Sequence, residues 1–136
     1  MPSPVKAHNP TSVWTVPDTF RPIYSHACEL APGARALFIS GQFGVAPDGG
    51  LPGEFLAQAD QAMSNVEALL AAAGMTLENV VKLTYFLTRA ADFPALAQLR
   101  RERWAASEPP AVTAVVVSAL ARPEYLIEIE ATAAAP

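Results

Sequence analysis

With 136 residues, 51% of them hydrophobic and 16% charged, the chain reads as a single domain over residues 1–136 that can bury a core without staples, and its apolar surplus points to self-association. The net charge of -4, with Lys and Arg scattered rather than striped, would repel a phosphate backbone and argues against nucleic-acid partners. A lone cysteine, Cys28, excludes an internal disulfide, and no apolar run is long enough to span a membrane, so the expectation is a soluble, cytoplasmic protein.

The stretch up to Arg21 is rich in Pro, Ser and Thr and is expected to lie extended on the surface, pinned by Val13, Trp14 and Val16. YSHACEL predicts a strand over residues 24–30 and ALFISGQFG another over 36–44, with the Pro32-Gly33 turn pair joining them as a hairpin. Residues 46–53, APDGGLPG, read as a loop. From Phe55, the residues Ala59, Ala62, Met63, Val66, Leu69, Leu70 and Ala73 recur at spacings of three and four, which predicts an amphipathic helix stopped at Gly74.

VVKLTYFLT predicts a buried strand over 80–88. Asp92 is placed to cap a second helix, with Pro94 in its first turn, Phe93, Leu96, Leu99 and Trp104 on its inner face, and Pro109-Pro110 beyond its end. The run Arg100, Arg101, Arg103 beside Glu102 reads as a solvated face. A strand over 112–117 follows, its AVVV core apolar on both sides as if covered twice. In the last strand, from Tyr125, Ile127, Ile129 and Ala131 alternate with Glu128, Glu130 and Thr132. The order is β-β-α-β-α-β-β, an α+β fold with a mixed sheet backed by two helices. The second sheet face is left for a neighbouring subunit to cover.

Few residues offer chemistry on pattern alone. His26 and Cys28 stand two apart on one strand, but with His8 as the only other candidate they fall short of a zinc site, so no metal and no cofactor is expected. Cys28 lacks a base, Ser40 is not in a strand-to-helix elbow, and GQFGVAPDGG lacks the Lys and helix of a phosphate loop.

The segments YSHA, FISGQFG, LLAAAGM, LENVVKLTYFLT, ADFPAL, PPAVT and LIEIEATA occur in the order and spacing of the RidA/YjgF family, also described as endoribonuclease L-PSP or translation initiation inhibitor. The chain resembles that family from Tyr24 to Ala133. The resemblance implies a chorismate-mutase-like fold, a closed homotrimer, and a cleft for a small molecule at each subunit interface. It also implies hydrolytic deamination of enamines and imines to a keto acid and ammonia. A non-catalytic binding or sensor protein with the same cleft is the alternative, and the acidic charge disfavours the ribonuclease role.

Residue by residue, the resemblance makes Tyr24, Ser40, Gly41, Phe86 and Thr113 substrate-binding positions and makes Glu128 the carboxylate that holds the attacking water. Without the resemblance, Tyr24 reads as an interface aromatic, Ser40 as a strand-end hydroxyl, Phe86 as core and Glu128 as a solvated edge. The family's arginine falls at Val112, where an isopropyl group offers none of the paired hydrogen bonds a carboxylate needs. Ala114 stands in place of a frequent cysteine and His26 in place of a frequent glutamine. The expectation is therefore poor hydrolysis of amino-acid-derived imines, raised about tenfold or more by Val112→Arg, unless Arg122 or His26 replaces the lost cation.

Overall fold

A computed structural model describes residues 3–136. Its strands and helices run β1 (Val5–His8), β2 (Ala27–Leu30), β3 (Arg35–Phe43), α1 (Phe55–Ala72), β4 (Val80–Leu87), α2 (Phe93–Arg103), β5 (Ala111–Val116) and β6 (Ile127–Ala135). The expected α+β order holds, with one strand added at the front. Four strands form a mixed sheet in the order β3-β6-β4-β5, and β1-β2 form a separate antiparallel ribbon. β4 and β5 are parallel and joined through α2, whereas β6 runs antiparallel to β3 and β4.

The helices cover one sheet face. Ala59, Ala62, Met63, Val66 and Leu70 of α1 pack with Leu83, Tyr85, Ile127, Ile129 and Ala131, and Leu96 and Trp104 join the same cluster. Gly74 ends α1 as expected, at φ 70, a left-handed conformation that costs glycine little. Gln58, buried on α1, donates to the carbonyls of Pro52 and Glu124 and accepts from the Leu126 amide, so the helix fixes both the loop before it and the entry to β6.

Five expectations are corrected. The N-terminal stretch is not only an extended surface segment, because Val5–His8 pair in register with Leu30 to Ala27. The Pro32-Gly33 turn forms, with Gly33 at φ 80, but β2 pairs with β1 while β3 pairs with β6. A turn signal fixes a local reversal and leaves open which edges bond. The strand expected from Tyr24 starts at Ala27, and Ser25 makes only an isolated bridge to Ala111. Asp92 occupies the cap position without a side-chain cap bond, since its carboxylate accepts from Arg89 Nε at 2.8 Å.

The basic run of α2 is the last correction. Arg103 pairs with Asp60 and Glu67 of α1, and Arg100 is buried at 7% exposure. Arg100 follows Leu96 and precedes Trp104 at spacings of four, which sets it on the helix's inner stripe.

Candidate functional site

Across the face away from the helices, pairing aligns Phe43, Glu128, Phe86 and Val115 in one row, and Glu130, Thr84 and Thr113 in the next. β3 carries a register shift between Ile39 and Gln42, so Ser40 and Gly41 form a bulge beside β6. The bulge brings Gly41 against the Glu128 carboxylate. A Cβ at residue 41 would stand 1.8 Å from Glu128 Oε1, so only glycine leaves the carboxylate its place.

Burial raises the pKa of Glu128 above the ordinary glutamate value, and the neighbouring Glu130 charge adds to that. The same face holds a cation. Lys82 Nζ donates to Thr113 Oγ1 at 2.7 Å. Phe43 stacks on Tyr125 with ring centroids 4.3 Å apart and closes one end of the row. Ser40 is exposed, and its carbonyl accepts from Gln42 Nε2 at 2.9 Å. Glu128, Gly41, Ser40 and Phe86 thus lie on β6 and its two neighbours, β3 and β4, with Thr113 one strand further along on β5.

Tyr24 and Val112 lie elsewhere. Val112 pairs with the buried Leu83, three residues along from the Phe86–Val115 pair, so it faces the helix side of the sheet. There it lines a cavity of about 670 Å³ with Phe20, Tyr24, Phe93, Arg100 and Ala114. Tyr24 sits edge-on to His26, with centroids 5.9 Å apart. His26 Nε2 donates in turn to the Trp14 carbonyl, which ties the aromatic pair to the N-terminal segment. One chain therefore holds the expected site as two halves on opposite faces of its sheet.

Cys28 stays outside both halves. Its Sγ donates to the Pro109 carbonyl at 3.6 Å, and burial pushes the thiol pKa up. Among the described residues no group of three His, Cys, Asp or Glu side chains could hold a metal, and no helix is long and apolar enough to cross a membrane. Sequence reasoning missed Arg100 in the second half, although a charged residue on the stripe of Leu96 and Trp104 was the available signal.

The family described as Endoribonuclease L-PSP matches residues 19–135. Protein DfrA of Myxococcus xanthus is 38% identical over 112 residues, covering 81% of this chain and 83% of that protein. The 2-iminobutanoate/2-iminopropanoate deaminase of Mus musculus is 38% identical over 112 residues, covering 81% of this chain and 79% of that protein. Among solved structures, the Rid-family protein YyfB from Yersinia pestis superposes with a TM-score of 0.82 at 34% identity, covering 96% of this chain and 98% of that one.

Proposed function

The chain belongs to the RidA/YjgF family, the endoribonuclease L-PSP family of the match, and on that premise we propose that it hydrolyses small imines or enamines to carbonyl compounds and ammonia. The observation that carries the reading is the Glu128–Gly41 contact, a partly desolvated carboxylate seated where only a glycine fits. A relative named as an imine deaminase supports the reaction class.

In the proposed step, Glu128 takes a proton from water as the water oxygen bonds to the imine carbon. The C=N π electrons move to nitrogen, which takes that proton back from Glu128. The resulting carbinolamine then collapses: Glu128 takes the hydroxyl proton and passes it to the amine nitrogen, the C=O bond forms, and the C–N bond breaks with nitrogen departing as ammonia. Glu128, first base and then acid, returns to its ionised form. A raised pKa makes its carboxylate a better proton acceptor than an exposed glutamate. Thr113 and the amides near Gly41 are suited to donate to the ligand.

Assembly belongs to the same proposal. With the expected residues divided between two sheet faces, a cleft containing Glu128 and Tyr24 together requires a second copy of the chain. The family's closed trimer supplies one, and Phe38, 80% exposed on the open face, is suited to such an interface.

Ammonia release tests the reaction. Imines generated in place by an amino-acid oxidase should break down faster with the protein than without it. Glu128→Gln should remove about 10²–10⁴-fold of that acceleration. A folded Glu128→Gln variant with undiminished rate would end the hydrolase reading and leave a binding protein.

A further inference from the structure

The cavity beside β5 holds a charge that the step above does not use. Arg100 is 7% exposed, yet it joins no ion pair among the described residues. Its Nη2 donates to the Ile23 carbonyl at 2.9 Å, and its guanidinium carbon stands 4.8 Å from the centre of the Tyr85 ring. That leaves most of the guanidinium's donors without a protein acceptor. A buried cation with no counter-ion is costly, and an anionic ligand would relieve the cost.

The surroundings suit such a ligand. Phe20, Phe93, Leu96 and Val112 make much of the wall, and no Asp or Glu is among the described residues lining it. The other cation there, Arg101, is engaged by Gln98 Oε1 and the Thr19 carbonyl. Burial lowers the Arg100 pKa, but an arginine starts so high that it stays charged at neutral pH.

We infer that Arg100 is the anion-binding group of this cavity, delivering from α2 the guanidinium that the family resemblance places on β5 at Val112. The inference rests on the reading that this cavity is one half of the ligand cleft. It makes the ligand a small carboxylate with an apolar side chain, the carboxylate on Arg100 and the chain against Phe20 and Phe93. It also reverses one expectation drawn from the sequence. An arginine at residue 112 would meet Arg100 in the same cavity, so Val112→Arg should weaken activity rather than restore it.

Calorimetric titration with 2-oxobutanoate and its neutral methyl ester tests the inference. The natural protein should bind the acid at least about tenfold more tightly than the ester. Arg100→Met should erase that preference and Arg100→Lys should restore part of it, which a purely structural arginine would not do. Equal binding of acid and ester, or a preference that survives in folded Arg100→Met, overturns the inference. Should Arg100→Met not fold, Val112→Glu decides, because it presents a carboxylate to Arg100 without removing it. The acid should then bind at least about tenfold more weakly while Tm rises, and unchanged affinity overturns the inference. Ammonia release separates this result from the reaction. An Arg100-dependent acid preference without imine hydrolysis removes the hydrolase reading alone, and hydrolysis with no acid preference removes this inference alone.

Discussion

On one face of the four-stranded sheet, Leu83, Tyr85, Ile127, Ile129 and Ala131 lie beneath the helices at no more than 4% exposure. On the other, the same strands present Lys82, Thr84, Glu128 and Glu130, half-buried or exposed, with Phe38 standing 80% free. The strands alternate side chains with a period of two, so each strand serves both roles at once. The covered face supplies cohesion through apolar burial, and its substitution is felt as lost stability. The open face contributes less to the chain's own stability and can carry a carboxylate, a bulge and an apolar patch for another copy.

The largest effect expected of breaking this division is on the covered face. Ile129→Ala should cost about 2–5 kcal/mol in denaturant unfolding. Phe38→Ala should change chain stability by less than about 0.5 kcal/mol, yet shift light scattering toward smaller species. Equal losses from the two would mean that the faces are not divided as described. Gly41→Ala ranks next. Its methyl group must displace the Glu128 carboxylate or the bulge, for about 1–3 kcal/mol of destabilisation, and imine hydrolysis should fall about tenfold or more as the carboxylate moves.

The smallest effect sharpens the comparison within the open face. Glu128 has its pKa raised first by burial and second by Glu130. The proposed step uses the ionised carboxylate, so any imine hydrolysis should rise with pH through that raised value. Glu130→Gln removes the lesser cause and should move the rise to lower pH. The stability sign is the opposite of the usual carboxylate case. A folded-state pKa above the unfolded one means that the charged form is disfavoured by folding, so this contribution worsens as pH rises through the Glu128 pKa. A rise in activity that stays put in Glu130→Gln would show that the two carboxylates do not communicate.

Much of this was legible along the chain. The stripe from Ala59 to Leu70 and the alternation from Ile127 to Ala131 foretold α1 and the two faces of β6, because both are periodic patterns within one element. The Glu128 side of the proposed site entered only through the family resemblance, since on pattern alone Glu128 reads as a solvated edge. Three features were not legible. Val5–His8 has little strand character of its own and becomes β1 only because β2 offers an edge. The AVVV run did not reveal its place in the sheet: most of it lies in β5, at the edge of this chain's sheet, where Val115 and Val116 are 38% and 45% exposed, Val115 on the face expected to meet a neighbouring subunit. Arg100 sat in a basic run that resembled solvated surface.

By itself, the sequence determined the order of elements from β2 onward and the apolar faces of α1 and β6, while the arginine absent at Val112 was legible only through the family resemblance. The order and the faces follow from local period and turn residues, which need no distant partner. Tertiary structure alone decided that β2 pairs backward with β1, that Glu128 and Val112 fall on opposite faces, and that Arg100 enters the cavity beside Val112. Strand pairing and helix docking join residues far apart in the chain, and the free energy that selects among them lies in hydrogen bonds and buried area that no local window contains.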